Sequence, residues 1–178
     1  MRTELYATLG LASLILLGAG LARSADISSA PPAALCEDRD GHTPADVRLT
    51  ACSALLNAGD LTKDQEAEVR TNRAWAFSLQ GKMADARIDY LRSLELTPDS
   101  HVARNEMGLF LLRTGQFDDA IAEYDIALRL RPGAAYSLYG RGLAYERKGD
   151  QARGEADLAK ARLADSNVDA VFRSIGVR

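Results

Sequence analysis

The apolar residues of the stretch GQFDDAIAEYDIALRLRP, Gly115 to Pro132, fall at Ala120, Ile121, Tyr124, Ala127, Leu128 and Leu130. The i, i+3, i+4, i+7 spacing predicts an amphipathic helix. The preceding stretch, HVARNEMGLFLLRT, sets Val102, Met107, Phe110 and Leu111 on a second broad apolar face. Gly115 separates the two, because glycine readily takes the left-handed conformation that ends a helix. Pro132 ends the second, since the residue before a proline is disfavoured in the α region. Two helices joined by a turn of about three residues pack antiparallel.

The same pattern returns when the chain is shifted by 34 residues. Gly81, Gly115 and Gly149 coincide, as do Ala86, Ala120 and Gly154, and Tyr90, Tyr124 and Leu158. Ala74, Gly108 and Gly142 share a small-residue position, and Phe77, Leu111 and Tyr145 an apolar one. Pro98 matches Pro132. Three helix-pair units are expected, at 67–100, 101–134 and 135–168. The small positions, Gly108 and Ala120 among them, mark where helix backbones approach closely, with Tyr124 reaching over to the next helix. One pair cannot bury its own apolar faces, so neighbours stack into a right-handed α-solenoid of antiparallel helix pairs, an all-α fold.

The flanks extend the stack. Thr43-Pro44 reads as an N-cap with proline at the first helical position. Val47, Leu49, Cys52, Leu55 and Leu56 then give a leading helix over 44–58 that ends near Gly59. Residues 169–176 read as a closing helix that packs Val171, Phe172 and Ile175 on the third unit. Residues 25–43 are expected to be a flexible lead, because DISSAPPAA has too little apolar content to build a core.

The period and residue types resemble the tetratricopeptide repeat. Met107, Gly108, Leu111, Gly115, Ala120, Tyr124, Ala127 and Pro132 follow that family's pattern, as do Ala74, Phe77, Ala86, Tyr90 and Pro98 in the first unit. The third keeps Gly142, Tyr145, Gly149 and Ala161 but has Gly154, Leu158 and Ser166 where alanine, an aromatic and proline are usual. Arg73 stands where the family carries an apolar residue. The resemblance covers 67–168. It implies a solenoid that binds a protein or peptide partner and carries no cofactor, and it leaves the partner's identity open.

The N-terminal segment has a different character. Arg2 precedes a run from Leu5 to Leu21 without charge, and Ala22-Arg23-Ser24 offers small residues for a cut after Ser24. Residues 1–24 therefore read as a secretory signal peptide, which places the mature chain in the periplasm or outside the cell. The alternative is a retained inner-membrane anchor, the one route by which the chain would meet a membrane. Cys36 and Cys52 are the two cysteines. In an oxidising compartment an even count reads as a disulfide. The other reading is two separate thiols, with Cys52 a buried small hydrophobe. Cys-bearing leading helices in exported relatives of the repeat family favour the disulfide by analogy.

Chemistry is sparse. The formal net charge of -3 and the lack of any Lys/Arg-rich run give no footprint for nucleic acid. No CxxC or CxxCH is present, and the histidines are His42 and His101. His42 with Asp38 and Asp40 forms only a weak echo of a metal set, and Asp38, Asp40 and Gly41 lack the closing Glu of a calcium loop. GRGLAYERKG has no strand before it and is not a phosphate loop. No catalytic constellation stands out, so the chain reads as a non-enzyme. In the tetratricopeptide family the first helix of each pair lines the concave face. Mapped on that basis, Thr71, Trp75 and Leu79 face the groove from the first unit, Asn105, Leu109, Leu112 and Arg113 from the second, and Tyr136, Tyr139, Leu143 and Arg147 from the third. Trp75, Leu109, Arg113, Tyr136, Tyr139 and Leu143 are the candidate partner-binding residues, as aromatics and Arg dominate interface hot spots. Trp75 has the alternative of packing under the leading helix. The two-carboxylate clamp found in one subclass is absent: Glu68, Glu106 and Gly140 occupy comparable positions, and only Asn72 fits. The function implied is a periplasmic interaction scaffold, with an envelope self-assembly module as the alternative.

If the signal reading holds, the exported chain begins at or near Ala25. Intact mass of the exported protein decides this, and a membrane-bound species that retains Met1 would favour the anchor.

Overall fold

The computed structural model describes residues 30–37 and 42–177. The signal segment, the start of the lead, and Asp38, Asp40 and Gly41 lie outside the described residues. Among those described there are nine helices, α1 Pro32–Glu37, α2 Ala45–Ala58, α3 Lys63–Leu79, α4 Met83–Leu96, α5 His101–Arg113, α6 Phe117–Leu130, α7 Ala135–Arg147, α8 Gln151–Ala164 and α9 Val168–Ser174. The pairs α3–α4, α5–α6 and α7–α8 are the three expected units. The second helices begin at Met83, Phe117 and Gln151, in step with the 34-residue period. α3 starts ahead of its unit because Thr62 and Gln65 form a reciprocal cap. The Gln65 backbone N–H donates to Thr62 Oγ1 at 3.3 Å, and the Thr62 N–H donates to Gln65 Oε1 at 2.9 Å.

The three turns repeat in atomic detail. Gly81, Gly115 and Gly149 have φ of 74°, 77° and 86°, which a side chain would oppose. The residue after each glycine donates its N–H five residues back, Lys82 to Phe77 at 3.0 Å, Gln116 to Leu111 at 2.9 Å and Asp150 to Tyr145 at 2.9 Å. These Schellman bonds satisfy carbonyls that a helix end leaves open.

Packing between helices rests on the small positions. Ala74, Ala86, Ala120, Ala127 and Ala161 are fully buried. Gly108 faces the ring of Tyr124. A methyl at Gly108 would lie 2.8 Å from Tyr124 Cε1, and one at Gly140 would collide with the same ring and its hydroxyl. Tyr124 therefore fills the space between α5 and α7. In the third unit a methyl on Gly142 or Gly154 would lie 3.0 Å from the other's carbonyl oxygen. With two glycines the backbones themselves meet, and Leu158 fills the space where the other units use tyrosine. The α8 helix is complete despite Gly154, Leu158 and Ser166.

The lead is not wholly flexible. Residues 32–37 form α1, because a proline in the first turn loses only an N–H that has no helical partner there. Cys36 is buried and disulfide-bonded to Cys52 of α2, with Cα atoms 4.9 Å apart. Ala51 and Val69 complete a small cluster around the bridge, flanked by Leu35, Leu55, Leu56 and Leu61. Closing a loop of this length constrains the unfolded chain by about 3 kcal/mol on the entropy model. The apolar content that DISSAPPAA lacks is thus supplied by one covalent link and the next two residues inward.

The closing helix spans Val168–Ser174, a little earlier than 169–176. Val168 and Phe172 are its buried residues, and beyond its end Val177 is buried and Ile175 packs on the core, whereas Val171 is only half-buried. Gly176 has φ 77°, and the Val177 N–H donates to Phe172 O at 3.0 Å, the same ending as the first helix of each unit. It falls 27 residues after Gly149, seven short of the period. Seven residues are about two helical turns. α9 is therefore a first helix shortened without loss of facing. Arg162 donates twice to Asp169 at 2.9 Å, and the Tyr139 hydroxyl donates to Asp169 at 2.8 Å. These donors, Arg162 first and then Tyr139, hold the Asp169 carboxyl down at about 2.

Two outcomes follow from this packing. Ala120→Leu destabilises the fold by about 1–3 kcal/mol, while Ala122→Leu, at an exposed site, changes little; equal melting temperatures would refute the packing. The folded pKa of Asp169 lies below its unfolded value of about 3.9, so its contribution is present above that pH and is lost as pH falls toward 2. Asp169→Asn should therefore melt below the parent at pH 7, with the gap closing between pH 4 and pH 2. A gap that ignores pH would show that the ion pair does not hold α9.

Candidate interaction face

The first helices α3, α5 and α7 lie side by side, and residues 34 apart fall in register on their common face. Trp75 and Arg113 come together there. The Arg113 guanidinium carbon sits 5.0 Å from the centre of the Trp75 ring, a cation–π stack across two units. Both side chains are half-buried, so each is anchored and each presents an edge. Arg113 Nη1 is buried with no hydrogen-bond partner. Tyr136 is the most open of the six candidates at 43% exposure, with its ring 6.4 Å from Phe172.

Leu109, Tyr139 and Leu143 do not stand open on this face; all three are buried. The physical cause is direct packing of one first helix on the next, completed by the closing segment. Phe172 of α9 packs on Tyr139 with ring centres 4.5 Å apart. Gly176 and Val177 lie beside Leu112, Arg113, Leu143 and Arg147 around a cleft of about 180 Å³. Thr71 and Leu112 are buried as well. The open part of the face therefore runs through Trp75, Leu79, Arg113, Val102 and Tyr136, and not through the middle of α7.

Toward the helix starts the face opens into two clefts. The first, about 620 Å³, lies between α3, the end of α4 and the start of α5. The second, about 470 Å³, is built from the same positions one unit later, and Val102 lines both. Glu106 lies on the floor of the second. Burial raises its carboxyl pKa, offset in part by a bond from Asn105 Nδ2 at 3.2 Å. The Ser137 hydroxyl donates to Asn105 Oδ1 at 2.8 Å and ties α7 to α5. The Tyr124 hydroxyl, deep between these helices, has no partner, and burial raises its pKa well above the ordinary value.

Sequence reasoning passed over one set of residues. Arg73, noted only as a departure from an apolar position, forks onto buried Asp89 through Nε at 2.6 Å and Nη2 at 2.9 Å. Arg141 does the same to buried Asp157 at 2.7 and 3.0 Å, and reaches Asp125 of the preceding unit at 2.6 Å. The middle unit has Met107 and Glu123 instead, and Glu123 pairs with Arg104 at 2.9 Å. The signal was present: an Arg and an Asp 16 residues apart, repeated at twice the period. These pairs join the two helices of a unit and, through Arg141 and Asp125, two neighbouring units. Among the described residues no group of three or more His, Cys, Asp or Glu is arranged to hold a metal ion, and no helix is long and apolar enough to cross a membrane.

A model of the tetratricopeptide-repeat family matches residues 105–168. Solved structures of MamA are similar over the fold. One superposes with a TM-score of 0.59 at 22% identity and covers 72% of each chain, and a second gives 0.58 at 23% over 72% of this chain and 67% of that one. YrrB, described as a tetratricopeptide-repeat protein with an unusual peptide-binding site, superposes at 0.59 with 19% identity over 75% of this chain and 66% of its own. Residues 105–168 are thus tetratricopeptide repeats, and the helical array as a whole has the fold of tetratricopeptide solenoids.

Proposed function

We propose that this protein is an exported interaction scaffold that holds a peptide or partner protein along the open part of its first-helix face. The observation that carries this reading is the Trp75–Arg113 stack. An aromatic and an arginine from adjacent units are pre-set against each other at half exposure, on a side not consumed by packing against the second helices. Residues of this type carry most of the binding energy at interfaces, and a pre-set side chain loses less entropy on binding. Tyr136 extends the same surface by one unit. The peptide-binding site in the printed description of YrrB supports a peptide as the class of partner. Export rests on the Leu5–Leu21 run and on the Cys36–Cys52 disulfide, which suits an oxidising compartment.

Trp75 is the only tryptophan, so its emission reports on this face alone. Titration with a pool of random eight-residue peptides should shift that emission. Arg113→Ala should weaken the interaction ~30-fold or more while the helical circular dichroism is kept. A folded protein whose emission no peptide alters, or whose Arg113→Ala form binds equally well, would overturn the reading.

A further inference from the structure

The two repeated clefts differ in one respect. In the first, Asp64 and Glu68 project from α3 and Asp99 from the turn after α4, so carboxylates stand on facing walls. No Lys or Arg lines it. None of the three carboxylates has an ion-pair partner among the described residues, although Asp89, Glu123, Asp125 and Asp157 on the same solenoid are all paired with arginines. The equivalent positions one unit later are Pro98, Val102 and Gly133, and an arginine, Arg131, replaces Thr97. The helix-pair unit therefore builds this cleft without the three carboxylates. Their presence in the first cleft is a property of that cleft and not a requirement of the fold.

We propose that the first cleft takes the Lys or Arg side chain of an extended polypeptide segment. The proposal rests on the scaffold reading above and specifies its ligand. The three carboxylates are not drawn together as metal ligands. They are spread around an open cleft, which suits a cation with several outward donors at the end of a long stem. The Thr71 and Ser93 hydroxyls lie 2.8 Å apart in the cleft and each is within hydrogen-bond reach of the Ala67 carbonyl, at 3.0 and 2.8 Å, so their two protons are used within the protein. They are already satisfied, so the rim carboxylates set the selectivity. Val102, 52% exposed, forms the shared wall and can cover the methylene stem of a basic side chain. Adjacent helices lie roughly 10 Å apart, and an extended chain advances about 3.3 Å per residue. A residue three positions along then reaches the second cleft, whose far wall is Tyr136. The recognised segment is a basic residue followed or preceded, three positions away, by an apolar one.

An array of random eight-residue peptides, probed with the full disulfide-bonded chain, tests this. Bound peptides should be enriched in Lys or Arg with an apolar residue three positions away, and binding should weaken as salt rises above about 0.15 M. Glu68→Gln with Asp99→Asn, both at exposed sites, should lose the enrichment, with affinity falling by up to about fivefold per carboxylate. Enrichment that survives in the double variant, or selection of acidic or purely apolar peptides, would sink this proposal. Peptides without a basic residue that still shift Trp75 emission would leave the scaffold reading standing without it. Capture of no peptide of any composition would sink both.

Discussion

The structure depends on how closely its helices approach. Tyr124 lies between two first helices that have shed their side chains at Gly108 and Gly140 to admit it. In the third unit Gly142 and Gly154 let two backbones meet directly. Interiors of this density cannot absorb even one added methyl without strain. The distance between helices fixes how far each unit is offset from the last. That offset decides which residues of α3, α5 and α7 remain on the open face. The Trp75–Arg113 stack and the paired clefts are products of spacing set in the core.

Within that frame the units differ in how they hold their outer corners. The first and third use a forked Arg–Asp pair and the second uses Met107. A buried carboxylate is costly unless fully paired, and the fork supplies two parallel bonds that a lysine could not. For Arg141, burial opposes the charge, but the bonds it donates to Asp157 and then to Asp125 hold its pKa above the ordinary value. Because Arg141 reaches both its own unit and the preceding one, the pair also specifies how the third unit sits on the second. An apolar residue would pack there without that directional demand.

Much of the fold was legible in the sequence because its grammar is local. A glycine at each turn, a small residue at each crossing and a 3.6-residue stripe all repeat at a fixed period, as Gly115, Ala120 and the Ile121–Leu128 stripe show in the middle unit. The lead was misjudged because α1 is held by contacts distant in sequence: Cys36 is apolar only in the company of Cys52 and Val69. The face was partly misread for the same kind of reason. Spacing places Tyr139 and Leu143 on the first-helix face, but it does not reveal that Phe172 and Val177 return to cover them. The Arg73–Asp89 fork was hidden because each residue, read singly, looks like an ordinary surface charge. The first cleft has contributions from three elements, and no window along the chain contains Asp64, Glu68 and Asp99 together.

The disulfide makes the two ends of the solenoid unequal. In a stack where each unit touches only its neighbours, opening starts at the ends and spreads inward. At the N-terminal end α1 is tied covalently to α2, so fraying there must carry both helices away at once. The C-terminal end is closed by seven residues held by Phe172, Val168 and an ion pair. Thermal opening of the stack therefore has a direction, from α9 toward α3. The surface it uncovers first is the Tyr139 and Leu143 side of the face, while Trp75 and the first cleft sit at the end that opens last.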